Sequence, residues 1–272
     1  MVIFPNCKIN LGLRIIRRRD DGYHDLETVF YPLPLCDILE AVQAPDLEYN
    51  FSGRHIPGDP LANLAVRAYQ LLKKDIQDLP FIQIHLHKKI PIGGGLGGGS
   101  ADGAFMLSLL NAQFRLGLDA GRLMEYALRL GSDCPFFLIN RPCLGQGRGE
   151  VLEPLPLDLS AYSFLLVHPG IHISTAKAFS RCNPRPGGPG LKTVVSQPPA
   201  EWRNTLVNDF ESPVFAEHPV LHEIKKELYA RGAIYAGMTG SGSCLFGIFE
   251  KGTAAGEGWN PGYEVISLME KN

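Results

Sequence analysis

The chain has 272 residues, 45% of them hydrophobic, enough to bury a substantial core as one large domain or two smaller ones. Its formal net charge of −2 excludes the broad basic face of a polyanion binder, so no nucleic-acid partner is expected. No run reaches the about 20 apolar residues of a membrane helix, no leader precedes Lys8, and six scattered cysteines without C-x-x-C or zinc spacing read as reduced thiols, so the expectation is a cytoplasmic protein with no membrane partner.

Residues 2–16 read as extended, with Lys8 and Asn10 on one face and Ile9, Leu11 and Leu13 on the other. A lysine in an apolar strand is either an exposed edge residue or a buried one with a partner. Arg17 to Leu26 is a charged turn centred on Asp21-Gly22. Arg17, Arg18 and Arg19 could suggest an RNA patch, but Asp20, Asp21 and Asp25 neutralise them, and a solvated hairpin is the reading. Tyr23 and His24 leave the turn ahead of a second extended run, Leu26 to Leu39; on their own they are ordinary turn-flanking residues.

Asp59 to Leu72 has helical periodicity, with Leu61, Leu64, Ala65, Ala68, Leu71 and Leu72 on one stripe and Pro60 in the first turn. Phe81 to His87 reads as a strand and Ala101 to Asn111 as a helix. Between them lie six glycines in seven positions, Gly93 to Gly99, interrupted by Leu96. Glycines tolerate φ > 0 and let a ligand approach the backbone, and a helix N-terminus adds unpaired N–H groups and a favourable dipole. A strand, a glycine loop and a helix in that order predict a phosphate site; the alternative is a flexible linker. The loop is not a Walker A motif, because no Lys-Ser or Lys-Thr follows it. A G-x-G-x-x-G pattern fits Gly93, Gly95 and Gly98, but such a pattern fits almost any glycine run. Ser100 stands where an N-cap or a metal-facing hydroxyl would be.

Leu118 to Leu130 predicts a helix capped by Asp119 and closed by Gly131 as a left-handed C′ residue. Ser132-Asp133 then caps a helix beginning near Pro135. Tyr162 to Gly170 reads as a buried strand ending in a turn, and Phe179 as a core helix residue. Residues 181–190 read as a mobile, breaker-rich loop. Val220, Leu221, Ile224 and Leu228 mark a helix, Ala236 to Phe246 a glycine turn before a strand, and Tyr263 to Leu268 an edge strand.

Four blocks, in order, resemble the GHMP kinases: Lys8-Ile-Asn10-Leu with Asp21-Gly-Tyr23-His24 through Phe30; Pro91 to Ala101; Gly131-Ser-Asp133-Cys-Pro135; and Ala236 to Phe246. The resemblance runs from Pro5 to Phe246. It implies an α/β (α+β) fold of two lobes, residues 1–155 resembling domain 2 of ribosomal protein S5 and residues 156–272 ferredoxin-like, with the site between them. It implies ATP-dependent phosphorylation of an alcohol, the 2-hydroxyl of a cytidine-diphosphate-linked methylerythritol, with Mg²⁺. Lys8 and Asp133 become the catalytic pair, so Asp133 is read as proton acceptor against its plainer reading as a cap. Asn10, Tyr23, His24, Phe30 and Phe179 become acceptor contacts, Phe179 standing evenly between this role and the core. Pro91, Gly93, Gly94, Gly95, Leu96, Gly97, Gly98, Gly99 and Ser100 hold the nucleotide phosphates, Ser100 also reaching the metal. Asn63 lies near adenine, and Lys88, or its neighbour Lys89, near the phosphates or ribose. Two rivals stay open: a GHMP kinase for a sugar or mevalonate-type alcohol, and a non-catalytic nucleotide-binding protein. A monomer or weak homodimer is expected.

Overall fold

The structure, a computed structural model, describes residues 1–184, 187–253 and 256–268. Its strands are β1 (Val2–Ile3), β2 (Asn6–Arg18), β3 (His24–Cys36), β4 (Ile38–Gln43), β5 (Glu48–Gly53) and β6 (Ile82–Lys88), then β7 (Cys143–Gln146), β8 (Val151–Pro154), β9 (Tyr162–His168), β10 (Tyr235–Met238), β11 (Leu245–Glu250) and β12 (Glu264–Leu268). The α-helices are α1 (Leu64–Asp75), α2 (Gly98–Gln113), α3 (Ala120–Leu130), α4 (Cys134–Ile139), α5 (Thr175–Arg181), α6 (Leu191–Val195), α7 (Glu211–Glu217) and α8 (Pro219–Ala230). Two compact units draw on alternating segments: Met1–Lys8, Pro34–Ile92 and Gly97–Arg141 in the first, Ile9–Leu33, Gly93–Leu96 and Pro142–Asn272 in the second.

The first unit is built on the sheet β1-β4-β6-β5. Along β6, Ile82, Ile84 and Leu86 are buried while Gln83, His85 and His87 take the other face, the period of two that a half-covered strand needs. Antiparallel β4 sets Leu39 opposite Leu86 and Ala41 opposite Ile84; parallel β5 sets Phe51 opposite Leu86. The second extended run expected from the sequence divides at Asp37 and feeds two sheets. The first expected helix also divides. Asp59 caps a 3₁₀ turn at Pro60–Ala62, and Asn63, extended at ψ 132°, caps α1 by accepting the Ala65 N–H at 2.9 Å. Ala65, Val66, Ala68, Tyr69 and Leu72 form the buried stripe of α1. A Cβ on Gly103 of α2 would lie 3.0 Å from Leu64 Cβ, so this glycine sets how closely α1 and α2 pack. Asp119 caps α3 through the Arg122 N–H at 2.8 Å, worth about 1 kcal/mol. Gly131 is extended at φ 170°, not left-handed as expected.

The second unit holds most residues of the sheet β2-β3-β7-β8, the first three of β2 and the last three of β3 counting with the first unit, and the sheet β10-β11-β9-β12. The turn between β2 and β3 closes with Arg19 N–H donating to Tyr23 O at 2.8 Å and Gly22 at φ 84°. In the second sheet all pairings are antiparallel, and its four strands taken in chain order lie 2-3-1-4, the order of the split β-α-β plan. The second crossover helix of that plan is absent among the described residues: residues 251–253 and 256–263 are turns and bends. Leu165, Val167, Leu221, Ile224, Leu228, Leu245 and Phe249 make the core beneath α8, each worth about 1.5–3 kcal/mol of burial. β12 is the expected edge strand. Of the expected loop at 181–190, Arg185 and Pro186 lie outside the described residues.

Candidate active site

The glycine loop is organised by backbone conformation. Gly93, Gly95 and Gly97 have φ of 76°, 79° and 72°, where a side chain is strained. Helix α2 begins at Gly98, three residues before the expected start, with left-handed Gly97 as N-cap and no side-chain cap bond. The first helical bond, Ala101 N–H to Gly97 O, spans 2.9 Å. The N–H groups of Gly98, Gly99 and Ser100 therefore open the helix without a capping side chain, as an anion site requires. Gly99 is exposed, and a Cβ there would meet nothing within 4 Å. Ser100 sits in the first turn, not at the N-cap, and its hydroxyl hydrogen-bonds the Cys134 thiol. Pro91 and Leu96 are buried.

The middle of the loop is braced within the second unit. Cys244 N–H donates to Gly94 O at 3.1 Å and the Thr239 hydroxyl to Gly95 O at 3.1 Å. A Cβ on Gly95 would stand 2.2 Å from Thr239 O, and one on Gly94 2.9 Å from the His168 ring. Only glycine lets these backbones meet. The second glycine turn thus packs against the loop at Thr239 and Cys244.

In the first unit, Lys8 on β2 is 3% exposed, and its ammonium lies 3.5 Å from the Asp133 carboxylate, itself 37% exposed. Burial pushes the Lys8 ammonium below its ordinary value against the pull of Asp133. Asp133 occupies the N-cap position of α4 but makes no cap hydrogen bond. The plainer reading of Asp133 as a cap is thus corrected: its α-region backbone, φ −82° and ψ −18°, turns the carboxylate from the helix amides to Lys8. A Cβ on Gly97 would come within 3.1 Å of Lys8 Cε, so the lysine stem runs along the loop's helix start.

Lys88 lies in a buried cluster. Only 4% exposed, it donates to Asp102 Oδ2 at 2.7 Å and, more closely, to Asp37 Oδ2. Asp37 Oδ1 also accepts the N–H groups of Lys89 and Ile90, at 2.6 and 2.9 Å. Burial pushes the Asp102 carboxyl up to about 8, partly offset by Lys88. Lys88, expected near the nucleotide phosphates or ribose, thus lies in an internal cluster with Asp37 and Asp102. Asp37 and Asp102 were missed because a strand-end aspartate and a helical aspartate carry no local signal of a shared partner.

The expected acceptor residues separate in the second unit. His24 stacks on Phe179 at 5.0 Å and 21°, and Phe179 meets Phe210 edge-on at 4.8 Å. Phe179 is partly buried, so it both packs on the core and offers a ring. Tyr23 is 56% exposed, with the Arg148 guanidinium 5.0 Å from its centroid. Arg148 lies in the turn at 147–150. Burial, then Arg18, hold His24 below its usual value. Two more of the expected contacts lie in buried surroundings. Phe30 is 2% exposed, its ring filling the space over Gly145, where a Cβ would lie 2.6 Å from it. Asn10 is 2% exposed, donating to the Thr28 hydroxyl at 2.9 Å and accepting from Thr239 at 3.2 Å. The sequence showed the alternation of the strand and not that both of its faces are covered. Asn63 caps α1, as described.

Two family models match: GHMP kinases N terminal domain over residues 63–141 and GHMP kinases C terminal over residues 198–260. A Bacteroides fragilis protein named 4-diphosphocytidyl-2-C-methyl-D-erythritol kinase is 51% identical over 253 residues, covering 92% of each chain. The crystal structure of a 4-(cytidine 5'-diphospho)-2C-methyl-D-erythritol kinase matches with a TM-score of 0.79 at 33% identity, over 91% of this chain and 90% of that one. Methanococcus jannaschii mevalonate kinase shares the fold at a TM-score of 0.70 and 12% identity, over 100% of this chain and 98% of its own.

Proposed function

The chain belongs to the GHMP kinases, and we propose that it transfers the γ-phosphoryl group of ATP to the 2-hydroxyl of 4-diphosphocytidyl-2-C-methyl-D-erythritol. The observation that carries the chemistry is the buried Lys8 paired with the more exposed Asp133 beside Gly97. The acceptor assignment is supported by relatives of that name and by Tyr23, His24 and Phe179, whose rings suit a nucleobase.

An alcohol is a weak nucleophile at neutral pH, and the transferring group is crowded with charge, so catalysis rests on positioning and electrostatics. In this reading Asp133 accepts the hydroxyl proton as the oxygen attacks the γ-phosphorus and ADP leaves. Lys8 pairs with Asp133 and steadies the developing alkoxide. The first-turn amides of α2 bind the phosphates. Among the described residues no three His, Cys, Asp or Glu side chains gather to hold a metal; the Ser100 hydroxyl would be the protein oxygen for Mg²⁺, which would offset the phosphate charge.

An ADP-release panel with Mg·ATP and several alcohols tests the reading. Turnover of the cytidylyl substrate is expected. Turnover of mevalonate, homoserine or galactose without it would overturn the acceptor assignment, and ATP binding without turnover of any alcohol would favour a binding protein.

A further inference from the structure

We propose that Lys88, with Asp37 and Asp102, is a positioning residue of the phosphate loop, tying the chain that enters the loop to the helix that leaves it; this rests on the nucleotide reading above. On the entering side β6 ends at Lys88, and Asp37 takes the next two N–H groups, of Lys89 and Ile90. On the leaving side the same ammonium holds Asp102 of α2 at 2.7 Å, and a Cβ on Gly98 would lie 3.3 Å from it. Asp37 N–H also donates to Pro5 O at 2.9 Å, which anchors the approach to Lys8. Lys88, Asp37 and Asp102 are 4%, 0% and 1% exposed, so water does not compete for these bonds.

The glycines between these anchors have the greatest backbone entropy to lose on ordering. Fixing both ends limits the conformations from which the helix amides must be recruited, and this preorganisation appears as nucleotide affinity. An apolar contact would join the same segments without fixing direction. A lysine whose donors point at two carboxylates sets both distance and angle. Lys88 thus acts through α2 and not on the nucleotide.

Three measurements on Asp102→Ala and Asp102→Asn test this: Mg·ATP affinity by calorimetry, KM for each substrate, and amide exchange over residues 97–103. Asp102→Ala leaves Lys88 with Asp37, and alanine suits a helix. It is expected to weaken ATP binding about tenfold, within the loss that misplacement causes. KM for the acceptor should hold and exchange at 97–103 should quicken. Asp102→Asn keeps an oxygen toward Lys88 and should restore affinity. Asp102→Ser, whose hydroxyl falls short of the ammonium, carries the same expectation as alanine should that variant fail to fold. ATP affinity at or above wild type in Asp102→Ala or Asp102→Ser would overturn the inference, because a released Lys88 would then be touching nucleotide or the cluster would only support the fold. Exchange is measured without nucleotide or acceptor. A wild-type chain that fails to bind Mg·ATP or to turn over therefore counts against the kinase reading, while slow exchange unchanged in Asp102→Ala counts against this one.

Discussion

Among single residues, the sharpest asymmetry is between Lys8, 3% exposed, and Asp133, 37% exposed. On the proposed mechanism a base must reach substrate while its charge partner is shielded, and this pair would divide those tasks. Asp133→Asn cannot accept a proton, so kcat should fall by about 10²–10⁴ with both substrates still bound. Because Asp133 is not a cap, asparagine gives no compensating helix bond; it removes the carboxylate that opposes the desolvation of Lys8, and stability should fall by about 1–3 kcal/mol. Adding Lys8→Met should recover stability without activity, as seen in thermal melts beside single-turnover kinetics. A folded Asp133→Asn enzyme with wild-type kcat would remove the base. His24 titrates differently. Its folded pKa lies below the ordinary 6.5, so the native state binds fewer protons than the unfolded one between those values. This contribution to stability is complete above about pH 6.5 and declines as pH falls through the folded pKa. KM for the acceptor should rise over the same window, as a proton on the ring faces Arg18. Acceptor KM flat down to pH 5 would mean that His24 does not face the base.

Among the elements, the loop and α2 contain glycines with opposite tasks. Gly97 has φ 72° and no room: a Cβ would lie 2.9 Å from Phe137 and 3.1 Å from Lys8. Gly97→Ala should cost about 1–2 kcal/mol for the left-handed backbone alone and disturb Lys8, lowering stability and kcat together. Gly99 is helical and open. Gly99→Ala should keep or raise the melting temperature, since alanine gains up to about 1 kcal/mol in a helix, yet weaken ATP binding by standing where phosphate approaches. Unchanged ATP affinity in Gly99→Ala would move the phosphate off this turn. The loop itself was legible because strand, glycine and helix signals are local. Ile82, Ile84 and Leu86 announced β6, and Asp119 announced α3. What escaped the sequence was long-range: the Lys88 cluster joins residues 51 and 14 positions apart, and both faces of β2 are buried around Asn10. Asn63 escaped for a local reason, since one extended residue splits a helix without changing its apolar period.

For the molecule as a whole, binding and stability are linked, because a ligand that binds only the folded chain stabilises it by RT ln(1 + [L]/Kd). At about 100 times Kd this is about 2.7 kcal/mol, or about 5–10 °C for a chain of this size. Mg·ATP alone and the cytidylyl acceptor alone should each raise the melting temperature. The proposed phosphate amides belong to one unit, Gly97–Arg141, while Tyr23, His24 and Phe179 belong to the other, Ile9–Leu33 with Pro142–Asn272. The two shifts should therefore be separable by mutation. Tyr23→Ala removes an exposed ring steadied by Arg148 and should cost about 1–3 kcal/mol of acceptor binding, the worth of one stacked base. Its acceptor-induced shift should shrink while its ATP-induced shift stays whole, and Gly99→Ala should show the reverse. Asp133→Asn should keep both shifts without turnover, since it loses the proton acceptor and not the ligands' holds. The measurement is a thermal-shift series on the wild type and three variants, each with Mg·ATP, acceptor, or neither. Equal loss of both shifts in Tyr23→Ala would assign that tyrosine to the fold or to the nucleotide and leave the base pocket to be sought elsewhere.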